Sequence, residues 1–159
     1  MYDDPYHVEV VDPVGQRSRG APVQFSPTRV TEGHKVLWCE ERERPVPRLT
    51  GRLSGGVSVG EPVMTAHREP CRPPASWPEY LPPFLLGALT LSPNGSAWVE
   101  RTGPAAAPRV YDVFDTEGRL RERVELPPGR RLIALGSHGV YTIRRDDADL
   151  EYIERFALR

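Results

Sequence analysis

Gly56-Val57-Ser58-Val59-Gly60 has the Gly-x-Ser-x-Gly spacing of a nucleophile elbow, and Asp115 and His138 come after it in the order serine, acid, histidine. That chemistry needs a strand before the serine and a helix after it, so that a strained turn holds the hydroxyl exposed. Here Glu61-Pro62 come next, no helical pattern continues, and no parallel α/β scaffold surrounds the segment. The stretch reads as a glycine-rich hairpin turn, and no catalytic residue is expected from it.

Four soft ligands stand as two pairs, His34 with Cys39 and His67 with Cys71. Four such groups can hold zinc tetrahedrally, but neither pair has the Cys-x₂-Cys spacing, so no metal site is expected. A disulfide between Cys39 and Cys71 ranks above zinc and would imply an oxidising compartment. Two unrelated thiols are the leading reading. Asp146, Asp147, Asp149 and Glu151 form an acidic cluster without the spacing or central glycine of a calcium loop, and read as a solvated connection. Asp12 and Asp115 read as turn residues, and His7 and His138 have no local partner. No phosphate-binding glycine loop occurs, and no cofactor is expected. Among the aromatics, Trp98 sits in an alternating strand and reads as core. Trp77 and Tyr80, in the proline-rich stretch 76–84, are the candidates for exposed ligand contact, although packing of that loop is the favoured reading.

The elements that would position these groups are short. The 159 residues are 38% hydrophobic and 27% charged, enough to form a core. A net charge of −1 gives no bulk reason to bind nucleic acid or an anionic membrane. Lys35 is the single lysine among 21 basic residues, a bias that reads as genome composition. The 18 prolines and 14 glycines favour strands and turns over long helices. No run of about 18 apolar residues exists to span a membrane. The first residues lack the basic and apolar regions of a signal peptide.

Residues 85–129 read as four strands. An apolar run at 85–91 meets the turn Ser92-Pro-Asn-Gly95, and 96–101 returns. Then 109–114 alternates, with Val110, Asp112 and Phe114 on one face and Tyr111 and Val113 on the other. The turn Asp115-Thr-Glu-Gly118 leads to 119–126. Residues 130–159 repeat the pattern with three strands. Residues 1–25 carry two more, since Val8 to Gly15 aligns with Tyr111 to Gly118 as strand and Asp-x-x-Gly turn. Residues 26–84 form a Pro/Gly-rich insertion. Within it 31–44 can form a short helix, with Thr31 an acceptable N-cap and Gly33 arguing against it, and a hairpin can form around 53–64. A repeat of roughly 40 residues is the size of a propeller blade.

The run from Val110 to Leu158 resembles the C-terminal blades of bacterial six-bladed β-propellers of the NHL-like type. Residues 89–101, with Asn94-Gly95 and Trp98-Val99, are similar to the common hairpin of those proteins. The resemblance implies an all-β fold of antiparallel four-stranded blades, an incomplete propeller with one short helix or irregular insertion in its middle. It implies a non-catalytic scaffold binding an unknown protein or small ligand. The alternatives are part of a propeller lyase or hydrolase with a channel site, or a small oligomeric β interaction module. A truncated ring is expected to self-associate through open edges. Full-length proteins of the resembled type are expected to be exported or periplasmic.

Overall fold

A computed structural model describes residues 2–3, 5–42, 46–54, 57–67, 70–148 and 150–157. Its elements are β1 (Tyr2–Asp3), β2 (Tyr6–His7), β3 (Glu9–Val11), β4 (Arg17–Arg19), β5 (Thr28–Arg29), α1 (Glu32–Arg42), β6 (Val46–Ser54), β7 (Val57–His67), β8 (Tyr80–Leu81), β9 (Leu89–Leu91), β10 (Ala97–Glu100), β11 (Val110–Phe114), β12 (Leu120–Glu125), β13 (Arg130–Gly136), β14 (Gly139–Arg145) and β15 (Glu151–Ala157). Strand takes 41% of the chain and helix 8%, so the fold is all-β in class; every described pairing is antiparallel and the sheets are not closed. The chain divides into two units, one of residues 1–30 with 78–159 and one of residues 31–77.

The first unit is built around a four-stranded sheet in the order β12-β11-β10-β9. Its two central strands are buried on both faces. Alternation along a strand sends neighbouring side chains to opposite sides. Ala97, Val99 and Phe114 therefore pack one way, with Tyr6, Val8, Val10, Val23 and Phe25 of the N-terminal segment. Trp98, Tyr111 and Val113 pack the other way, with Leu132, Leu135 and Val140 of the sheet β13-β14-β15. Three β layers thus stack in chain order. Val99 and Phe114 are completely buried, and full burial of each such side chain contributes roughly 1.5–3 kcal/mol.

The apolar run at 85–91 forms less strand than its composition suggests. Gly87, at φ +83°, closes a turn in which the Ala88 N–H donates to the Leu85 carbonyl at 3.1 Å, so pairing begins at Leu89. Layer spacing at the β11–β12 turn is set by backbone meeting backbone. The Gly20 N–H donates to the Val8 carbonyl, and a Cβ built on Gly20 would lie 1.8 Å from the Gly118 carbonyl oxygen. Gly118 itself stands at φ +77° with the Val8 oxygen 2.6 Å from where its Cβ would be.

In the second unit Thr31 caps α1, whose bounds are Glu32–Arg42. The Thr31 carbonyl accepts the His34 and Lys35 N–H groups, and His34 Nδ1 accepts the Thr31 N–H at 3.1 Å. This is the return half of a capping box, with histidine in the place of the usual glutamate. Strands β6 and β7 form a hairpin in which Ser58 pairs with Leu53. Trp38 meets Trp77 edge to face at 5.4 Å.

The cysteine reading is corrected by the structure. Cys39 and Cys71 are bonded to one another, with their Cα atoms 5.3 Å apart, inside the range a disulfide requires. They are separated by 32 residues, so nothing in their local sequence announces the pairing. Cross-linking a loop of that length stabilises the folded chain by about 3–4 kcal/mol in the chain-entropy picture.

Substituting Gly20→Ala is expected to destabilise the protein by about 3 kcal/mol, because neither backbone can yield to the new methyl. Gly103→Ala, where a methyl meets no atom within 4 Å, is expected to stay within about 0.5 kcal/mol of the parent. Urea unfolding of both variants checks the pair.

Candidate functional site

The interior of the first unit holds one carboxylate among the described residues. Asp112 stands in the middle of β11, on the face it shares with Phe114, and is completely buried. A lone charge there would cost several kcal/mol, so it must be compensated. Arg123, directly opposite on β12, donates from Nε to Asp112 Oδ1 at 2.9 Å. Arg101, just beyond β10, brings Nη1 to 3.5 Å from the same oxygen and stacks its guanidinium over the Phe25 ring. Asp112 Oδ2 and the Tyr6 hydroxyl are both buried, and Asp112 acts on the Tyr6 phenol as a hydrogen-bond acceptor as well as a charge. Burial first, and then the Asp112 charge, push the Tyr6 phenol far above its ordinary range. The Tyr6 hydroxyl therefore stays protonated at any physiological pH.

A second polar bridge crosses the other junction. Tyr111 donates its hydroxyl to Glu100 at 3.0 Å and accepts the Leu132 N–H at 3.4 Å, while Arg109 pairs with Glu100. Burial, followed by the Glu100 charge, raises the Tyr111 pKa as well. Both clusters join one β layer to the next. Each sets a neutral phenol beside a charge-paired carboxylate, and neither contains a nucleophile with a base beside it. Their chemistry is that of fixed interlayer contacts.

Three other aspartates serve turns. Asp12 Oδ1 accepts the N–H groups of Val14 and Gln16, Asp115 Oδ1 those of Glu117 and Arg119, and Asp146 Oδ1 those of Ala148 and Leu150, all at 2.8–3.0 Å. The turn reading of Asp12 and Asp115 is thus extended to Asp146, whose second oxygen accepts the Tyr152 hydroxyl. Glu151 pairs with Arg145 at 2.6 Å, and Asp149 lies outside the described residues. Desolvation pushes the Asp115 pKa upward, but the Arg119 N–H and guanidinium and the Glu117 N–H outweigh it, bringing the group from 3.8 to about 2.

The other residues singled out by the sequence are scattered. Trp77 is half-buried in the second unit, and Tyr80 is 48% exposed on β8 of the first, opposite Arg29. Ser58 lies inside strand β7, which runs on to His67 with no helix after the serine. His34 is occupied by its helix cap, and His7 Nδ1 lies 2.6 Å from the Pro5 carbonyl oxygen. The side chain of His67 lies outside the described residues.

One surface was not singled out. The last sheet covers the middle one with Leu132, Leu135 and Val140, so alternation turns Tyr141, Ile143 and Ile153 to its far side. Ile143 and Ile153 are paired partners, and Ile153 is 72% exposed. Ile133, the bulged residue of β13, is also exposed. No protein-family model, curated protein or solved structure matches the chain.

Replacing Asp112 with Asn is expected to cost about 3 kcal/mol, since it leaves the nearly buried Arg101 without its counter-charge. Tyr6→Phe is expected to cost under about 1 kcal/mol. Equilibrium unfolding of the two variants checks the ranking.

Asp115 has a folded pKa below its unfolded one, so its contribution is complete above about pH 4 and disappears as pH falls toward 2. Asp146 and Glu154 are lowered as well, by the Leu150 N–H and by the Arg130 guanidinium first among their causes. Melting temperature is therefore expected to drop between about pH 4 and pH 2, and less steeply in Asp115→Asn. A pH series of thermal melts checks this.

Proposed function

We propose that this chain is a non-catalytic binding scaffold of stacked, propeller-like β layers, and that the far side of sheet β13–β15 is its contact surface. The observation that carries the reading is the exposure of Ile153 beside Ile143 and Tyr141 on a regular, paired sheet. The paired register sets Arg131, Arg145, Glu151 and Arg155 around these three residues, so the side is a small apolar centre rimmed by charge, the pattern of a contact site. Propeller-like stacking is supported by the serial packing of the three layers and by the Asp turn that recurs in each of them. The bonded Cys39–Cys71 pair fits work in an oxidising compartment.

The apolar probe bis-ANS, photo-incorporated into the native protein at low micromolar concentration, is expected to label residues 131–157 when mapped by peptide mass spectrometry. Ile153→Asp should reduce that labelling several-fold without lowering the melting temperature by more than about 2 °C, the small effect expected at an exposed site. Absence of labelling on the native protein, or labelling confined to other segments, would refute the proposal.

A further inference from the structure

We infer that the Cys39–Cys71 bond is a redox latch on the second unit: reducing it frees α1 from residues 70–77 and leaves the first unit folded. Burial is divided unequally between the units. All buried residues among those described belong to the first unit, and none of the described side chains of residues 31–77 is buried. Side chains that keep much of their contact with water gain little from the hydrophobic effect, the dominant favourable force in folding.

Such a helix cannot stand by itself. α1 has 11 residues, with Gly33 in its first turn, and isolated helices shorter than about 12–15 residues are marginal in water. Two contacts tie it to residues 70–77, a stretch without helix or strand. One is the bond from Cys39 to Cys71. The other is the edge-to-face meeting of Trp38 with Trp77, two half-buried rings. The covalent link holds the two segments together, and the ring contact forms within that restraint.

The first unit does not share this dependence. The chain leaves it at Val30 and returns at Pro78, and both points are held by backbone pairing within that unit. β5 runs antiparallel to β8, Thr28 opposite Leu81 and Arg29 opposite Tyr80. The Val30 N–H donates to the Glu79 carbonyl at 2.9 Å, and Arg29 Nη2 lies 3.8 Å from Glu79 Oε1. Loosening the segment beyond this neck leaves the neck in place.

Neither cysteine is buried, and Pro70 and Arg72, on either side of Cys71, are exposed. A dithiol reductant therefore has a path to the bridge. One of its thiolates attacks a bridge sulfur, forming a mixed disulfide and releasing the other cysteine as a thiolate. Its second thiol then attacks the mixed disulfide and releases the remaining cysteine. The protein gains two electrons and two protons, and the reductant leaves as a disulfide. The latch is closed in an oxidising compartment and opens where dithiols prevail.

Lys35 is the single lysine of the chain and lies within α1. Endoproteinase Lys-C, which cuts after lysine, therefore reads the opening of that helix alone, because cleavage of a transiently opened segment follows its open population. The full oxidised chain, treated with dithiothreitol in the absence of denaturant, is expected to expose both cysteines to alkylation and to be cut after Lys35 at least about tenfold faster. Reoxidation of the parent is expected to restore slow cutting. The double variant Cys39→Ser/Cys71→Ser is expected to be cut fast with or without dithiothreitol. Hydrogen exchange across residues 97–114 is expected to be the same before and after reduction, which separates a latch on one unit from a staple for the whole chain. Equal cutting of the oxidised and reduced parent, faster exchange across 97–114 on reduction, or a bridge that dithiothreitol opens only in denaturant would each overturn the inference.

Discussion

The middle sheet of the first unit is covered on both faces, and the rest of that unit is a consequence of this. A strand buried on one side needs apolar residues at every second position; one buried on both sides needs them almost everywhere. Ala97, Trp98 and Val99 are consecutive and all buried, as are Tyr111, Asp112, Val113 and Phe114. The chain must then provide two covers. The N-terminal segment supplies one and β13–β15 the other, so residues far apart in sequence are held to a single layer.

Polar groups caught between layers set the terms of that packing. Asp112 is tolerated because Arg123 and Arg101 reach its carboxylate from the sheet's own edge and from the loop after β10. Tyr111 spans the opposite junction with its hydroxyl both donating, to Glu100, and accepting, from the Leu132 backbone. Such contacts add specificity to apolar stacking, since a layer shifted by one residue would strand a charge in the interior. The close approach of Gly20 and Gly118 acts in the same direction, because only that alignment lets two backbones come so near.

The same arrangement explains the outer surface. A layer in the middle of a stack needs neighbours on both sides, and β13–β15 covers the middle sheet with only one of its own two sides. Ile153 on the last sheet and Val11 on β3 are exposed on the sides turned away from the middle layer. The scaffold proposal draws on that exposure.

Local sequence was enough to determine the β class, the strands of residues 97–157 and the turns between them, because alternation, Asn-Gly and Asp-x-x-Gly are short-range signals. It offered a helix at 31–44 with Thr31 as its cap as one of two readings, and put Asp112 on an apolar face. The pairing of Cys39 with Cys71, the meeting of Tyr6 with the Asp112 layer and the far-side position of Ile153 were decided by tertiary structure alone. Each depends on which surfaces come together across tens of residues, and no spacing within a strand or turn encodes that. Asp146 shows the boundary well. Its turn chemistry equals that of Asp115, yet with Asp147 and Asp149 beside it the local string reads as a charged loop, and only the backbone hydrogen bonds reveal the shared device.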